Sequence, residues 1–103
     1  MSQAEGAMSD VTVVVLPPRF DFQHHVVFTA SYENFIANPT SSTLQLNFAQ
    51  VTYLDTSALG MLMLLAKKNS ASNASAGLVI VGAFGSCREM LEIANMSSYF
   101  DIR

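Results

Sequence analysis

Hydrophobic residues change their spacing several times along the chain, and each change marks a new element. Val11-Thr-Val-Val-Val-Leu16 is a short β-branched run that stops at Pro17-Pro18. Such side chains suit a pleated strand, while proline lacks an amide donor and restricts the residue before it, so the run predicts a strand with a sharp end. From Phe22 to Ala37, the positions Val26, Val27, Ala30, Phe35 and Ile36 recur at roughly helical spacing. Asp21 is placed to cap this first helix and Asn38-Pro39 to stop it. Leu44-Gln-Leu-Asn-Phe48 then alternates in strict period two, a second strand that Val51-Thr-Tyr-Leu54 continues after a bend.

Thr56 to Lys68 is rich in Leu, Met and Ala, with lysines at its end where they complement the negative helix terminus, and it predicts a second helix. Its core stripe is expected to be Leu59, Leu62, Met63 and Ala66, with Met61, Leu64 and Leu65 at the flanks or beyond. Gly77-Leu-Val-Ile-Val-Gly82 reads as a strand covered on both faces. Gly85-Ser86 reads as a turn and N-cap, and Ser86 to Asn95 as a third helix with Met90, Leu91 and Ala94 inward and Glu89 and Glu92 outward. Tyr99-Phe-Asp-Ile102 closes the chain as an edge strand. Residues 1–10 are small, polar and unpatterned and are expected to form a disordered tail, and Thr40 to Thr43 and Asn69 to Ala76 to form connecting loops.

Strands alternating with helices imply an α/β fold, a mostly parallel sheet of about four strands with helices packed on it and right-handed crossovers. A chain of 103 residues holds one such core, so residues 11–103 are read as a single domain. Half of the residues are hydrophobic and only 13% are charged, which favours burial over disorder. Five basic residues against eight acidic ones give a net charge of −3. That leaves no basic face for a nucleic acid. Cys87 is the single cysteine, so an internal disulfide is impossible and a reducing compartment fits. The apolar run from Ala58 to Ala66 falls well short of the roughly 20 residues that span a bilayer, and the start of the chain lacks the order of a signal peptide. A cytoplasmic protein without a membrane partner is expected.

The chemistry concentrates in Val51-Thr-Tyr-Leu-Asp-Thr-Ser-Ala-Leu-Gly60, where an apolar strand meets an acid and two hydroxyls before a helix begins. Thr56 and Ser57 then stand at a helix N-terminus, whose first amides lack intrahelical partners and whose dipole is positive, so a phosphate on either hydroxyl is tolerated. Such a group adds about −1.5 to −2 charge, enough beside Asp55 to expel a partner packed there. On local physics alone, the plainer alternative stands next to this one: Asp55 or Thr56 as an ordinary cap and Ser57 as a first-turn residue.

Asp55-Thr-Ser-Ala-Leu-Gly60 resembles the Asp-Ser-Ser/Thr-Gly-Leu-Gly signature of STAS domains, especially the bacterial anti-sigma factor antagonists. Arg19-Phe-Asp21 resembles the acidic turn before the first helix of that family, Arg88 to Met96 its third helix, and Tyr99-Phe-Asp-Ile102 its ending. The resemblance covers the chain from Val11 onward. Ala58 replaces the usual glycine, Pro17-Pro18 replaces the glycine before the acidic turn, and the family's amino-terminal strand is missing or reduced.

The resemblance implies a non-enzymatic switch without a cofactor of its own. It carries the phosphoacceptor onto Thr56, with Ser57 as the adjacent hydroxyl. It implies an anti-sigma factor or serine kinase of the histidine-kinase-like ATPase fold as partner, and a PP2C-type phosphatase that resets the switch. Contact with the partner is expected through Asp21, Asp55, Thr56, Ser57, Ala58, Met61 and Leu64. A second possibility is a STAS accessory or scaffold subunit of a larger assembly, in transport or stress signalling, that is never phosphorylated. A third, a small hydrolase using Ser57 with His24 or His25, lacks any recognisable oxyanion motif. Adjacent positions on a helix point about 100° apart, so His24-His25 makes a poor metal site, and Cys87 reads as a packed thiol.

Overall fold

The computed structural model describes residues 11–37, 43–71 and 77–103. The expected tail over 1–10, the Asn38-Pro39 stop and most of the two connecting loops lie outside the described residues. Strands β1 (Val11–Val15), β3 (Thr43–Asn47), β5 (Gly77–Val81) and β6 (Asp101–Ile102) form one sheet in the order β1-β3-β5-β6, parallel throughout. Helices α1 (His25–Ala37), α2 (Thr56–Ala71) and α3 (Gly85–Ile93) connect them. The expected α/β architecture with a parallel four-stranded sheet is what the chain adopts.

Register explains which side of the sheet faces the core. Thr12, Leu44 and Leu78 lie in one cross-strand row, and Val14, Leu46, Ile80 and Ile102 in the next. The central members of both rows are buried, whereas Val11, Val13 and Val15 on the other face of β1 are exposed. In β5, Leu78, Val79 and Ile80 are all buried, as a glycine-bounded apolar run predicts for a strand covered on both faces.

Several sequence expectations are corrected. Val51 to Leu54 does not prolong β3. After Phe48 the chain turns, with the Val51 amide donating to the Phe48 carbonyl at 3.0 Å, and the amides of Thr52 and Tyr53 both donate to the Pro18 carbonyl, at 2.8 and 3.1 Å. Proline cannot donate but its carbonyl can accept, so the Pro17-Pro18 stop becomes the anchor of a second, two-stranded parallel ladder. There β2 (Arg19–Phe20) pairs with β4 (Tyr53–Leu54).

The first helix starts as a 3₁₀ turn over Phe22–His24 and buries Phe28, Tyr32 and Phe35, while Val26 (65% exposed) and Val27 point outward. The aromatic stripe prevails because each ring buries more area than a valine and three of them recur at i, i+4 and i+7. In α2, Leu65 is fully buried rather than flanking, and half-buried Leu59 and Met63 lie at the margins of a stripe made by Ala58, Leu62, Leu65, Ala66 and Asn69. That stripe carries the helix on to Ala71, past the expected end at Lys68. Ser86 lies inside the first turn of α3 and is not its cap: Phe84, with extended backbone, holds the cap position, and Gly85 supplies the left-handed φ of +58° between them. The helix closes two residues before Asn95, which takes a left-handed φ of 60°.

Candidate functional site

All the main strands are parallel, so their carboxyl ends and the starts of α2 and α3 share one edge of the sheet, where open α/β folds place their working residues. Asp55 leaves β4 at this edge and caps α2. Its Oδ1 accepts the Ala58 amide at 3.0 Å and the Ser57 hydroxyl at 2.7 Å, and its carbonyl accepts the Leu59 amide at 3.2 Å. An N-cap aspartate satisfies donors that the helix cannot. The hydroxyl bond from Ser57 first, and the Ala58 amide next, hold the Asp55 carboxyl below its ordinary value of 3.8.

A depressed carboxylate stabilises the fold fully above its unfolded value and loses that contribution as pH falls through the folded one. Asp55→Ala is therefore expected to lower Tm by a few degrees at neutral pH, as loss of a cap does. The gap to the wild type should close on titration below pH 3.8. Thermal melts by circular dichroism between neutral and strongly acid pH check this, with Asp55→Asn, which keeps a capping oxygen, expected to lose less.

The two hydroxyls differ in their surroundings. Ser57 is half-buried and engaged with Asp55, whereas Thr56 is exposed at the first position of the helix. Thr56 opens an outward stripe that continues through Gly60, Leu64 and Lys67. At Gly60 an added Cβ would meet nothing within 4 Å. The helix surface is thus bare one turn beyond Thr56. Leu64 is 47% exposed, as expected of it, and Met61 is half-buried beside the stripe.

Two residues expected at the contact face are placed inside. Ala58 is fully buried, so its small side chain serves the packing of α2 against the sheet. Asp21 is 8% exposed, and its carboxylate is occupied within the fold. Oδ1 accepts the Gln23 amide at 3.0 Å, capping the 3₁₀ turn as predicted, and Oδ2 accepts Arg19 Nε at 2.8 Å.

Arg19 and Tyr53 belong to the site although no role was assigned to them from sequence. They face one another in the β2–β4 ladder, and the Arg19 guanidinium lies over the Tyr53 ring, 4.2 Å from its centre. The hydrogen bond to Asp21 chiefly, with the charges of Asp21 and Asp55 adding to it, holds Arg19 still more firmly protonated than usual. The sequence signals were Arg19's place two residues before the capping Asp21 and within the stretch that resembles the family's acidic turn; the pairing that brings it to the α2 start is not local. Phe84, half-exposed at the start of α3, is a further apolar side chain at this edge.

The histidines have other neighbours. His24 meets the edge of Phe20, and His25 stacks on Phe22 at 4.2 Å with Nδ1 2.9 Å from the Phe22 carbonyl. Among the described residues, no group of three His, Cys, Asp or Glu side chains is arranged to hold a metal, and no helix is long and apolar enough to cross a membrane. Cys87 is buried, and burial pushes its thiol pKa up, the reverse of a reactive cysteine.

The fold has counterparts elsewhere. A candidate anti-sigma factor antagonist from Thermotoga maritima superposes with a TM-score of 0.75 at 17% identity, covering 91% of this chain and 79% of that one. The anti-sigma factor antagonist SpoIIAA in its unphosphorylated form gives 0.69 at 14% identity, over 91% and 79% of the two chains. The phosphorylated form of SpoIIAA, the Bacillus cell fate determinant, gives 0.68 at 14%, over 91% and 83%. At these identities the likeness is one of fold. A STAS-domain containing protein of Pseudomonas aeruginosa strain UCBPP-PA14 is 37% identical over 84 residues, 82% of this chain and 79% of its own length. The family model described as "Mlab, STAS domain" matches residues 4–101, and the chain therefore belongs to the STAS domain family.

Proposed function

We propose that this STAS domain is a partner-switching regulator of the anti-sigma factor antagonist kind, set by phosphorylation of Thr56. The observation that carries the reading is the exposed Thr56 hydroxyl at the positive start of α2, on a turn already fixed by Asp55. The partner is a serine kinase of the histidine-kinase-like ATPase fold that also acts as the anti-sigma factor, and a PP2C-type phosphatase reverses its work. In the forward step the Thr56 oxygen attacks the γ-phosphorus of the kinase's ATP, ADP leaves, and the hydroxyl proton passes to a base of the kinase. Ser57 is the less suited acceptor because its hydroxyl is half-buried and held by Asp55.

The unmodified partner surface is the outward stripe of α2. Bare Gly60 permits close approach beside Thr56, and Leu64 offers an apolar contact. A phosphate adds about −1.5 to −2 charge where Asp55 already stands, and a closely packed partner must then desolvate both. Incubating the full chain with its co-purified kinase and ATP is expected to raise its intact mass by one phosphate, and Thr56→Ala to abolish the increase. Phosphorylation, and in part Thr56→Asp, should weaken kinase binding at least tenfold, about 1.4 kcal/mol. An unchanged mass, or a Thr56→Asp variant that binds as well as the wild type, overturns the reading.

Exposed Val26 and Val27 on α1 and Ile93 on α3 support a second reading, a permanent subunit of a larger assembly. A co-purifying complex indifferent to Thr56→Ala would favour it.

A further inference from the structure

Of the five lysines and arginines of the chain, two lie late in α2 and two are paired at the β6 side. Lys67 and Lys68 lie near its far end, where Lys68 pairs with Glu33 at 3.4 Å. Arg88 and Arg103 are tied to Glu92, to Asp101 and to each other at the β6 side. Arg19 remains. It sits in register with Tyr53, two residues before Asp55 and three before Thr56, with its guanidinium over the Tyr53 ring and only Nε engaged with a carboxylate among its described hydrogen bonds. Its side chain is 66% exposed, so the rest of the fork is open to solvent.

We propose that Arg19 reads the state of Thr56: once Thr56 carries a phosphate, the Arg19 guanidinium moves from the Asp21 carboxylate onto that phosphate. The inference rests on Thr56 as the phosphoacceptor and names what answers the modification inside this chain. A dianion with three acceptor oxygens attracts a guanidinium more strongly than a single carboxylate does, and the planar fork fits a phosphate with two parallel hydrogen bonds. The charges facing Arg19 are Asp21 from the turn before α1 and Asp55 from the end of β4, with the Tyr53 phenol beneath it. Adding a phosphate to two carboxylates raises the local negative charge, and Arg19, already drawn by both carboxylates, is the cation placed to offset it.

The move has a structural consequence. Asp21 Oδ2 loses its ion pair while Oδ1 still caps the Gln23 amide, so the 3₁₀ turn leading into α1 feels an event at α2.

The test uses the full chain with phosphothreonine installed at position 56 by ligation, so that no kinase is needed. The second ionisation of the phosphate is followed by phosphorus-31 NMR. It is expected about 0.7 unit lower in the wild type than in Arg19→Gln, the effect of one charge at roughly 4 Å in a water-like dielectric. Arg19→Lys should restore part of that shift. Asp21→Asn, which retains a capping side chain and removes the competitor for Arg19, should lower the value further. Superimposable titrations of the wild type and Arg19→Gln overturn the inference. A kinase that leaves Thr56 unmodified overturns the switch instead, and the ligated protein separates the two failures.

Discussion

Phe20→Ala is expected to cost about 3–5 kcal/mol, the range for deleting a buried aromatic side chain. Phe20 is fully buried although it belongs to a two-residue strand. Its ring meets Phe28 at 5.1 Å, His24 at 5.9 Å and Phe48 at 6.1 Å, each edge to face. It thereby joins the β2–β4 ladder, the first helix and the end of β3, and no single neighbour can relax into the space it would leave. A domain of this size has a total stability of about 5–15 kcal/mol, so the loss is a large part of the whole. Urea denaturation followed by circular dichroism should show a large fall in the midpoint with an unchanged slope. Ile93→Ala, at a side chain 86% exposed, should stay within about 0.5 kcal/mol of the wild type.

Gly82→Ala is the second large effect. Gly82 follows β5 with a φ of +79°, and a Cβ there would stand 3.0 Å from both the backbone nitrogen and the Cα of Ala49. The left-handed backbone alone costs a side chain about 1–2 kcal/mol, and the collision adds to it because the obstacle is main chain. We expect a loss of about 2–4 kcal/mol in all, seen as a drop in Tm of roughly 4–8 °C per kcal/mol. Gly85→Ala provides the comparison: its φ is +58° but its added Cβ meets nothing within 4 Å. The difference between the two variants measures the collision at Ala49 apart from the backbone strain.

The parts of the fold written in local pattern were legible in the sequence. The β-branched run at Val11, the alternation at Leu44 and the glycine-bounded run at Leu78 each mark a strand without help from the rest of the chain. Asp21 could be placed as a cap, and Asp55 as one of two candidates with Thr56, because a cap acts on amides two or three residues away. What escaped depends on contacts between distant segments. The β2–β4 ladder has two residues on each side, too few for any periodicity, and it exists because the Pro18 carbonyl collects two amides from a loop more than thirty positions away. Arg19 gains its place beside Asp55 only through that ladder. In the first helix Phe35 is inward as its spacing suggests, but Val26, Val27 and Ala30 turn outward, because Phe28 and Tyr32 complete the inward stripe by size. Of the residues set at the flanks of α2 or beyond, Leu64 is exposed but Leu65 is buried, since a helix apolar nearly all round leaves its orientation to the surrounding packing.

Among the described residues the sheet contains no hairpin. Val11 meets Thr43, and Thr43 meets Gly77, so every central strand must wait for a helix and two connections to be traversed before it finds a neighbour. Loop closure on that scale is an entropic cost met before any ladder bond forms, and folds dominated by such distant pairings assemble slowly, on the order of milliseconds to seconds. The pairing of Arg19 with Tyr53 spans the same kind of distance, so the edge at the start of α2 should emerge late in refolding. A nascent chain still lacking β4 would have Arg19 without the Tyr53 ring that its guanidinium covers in the finished domain.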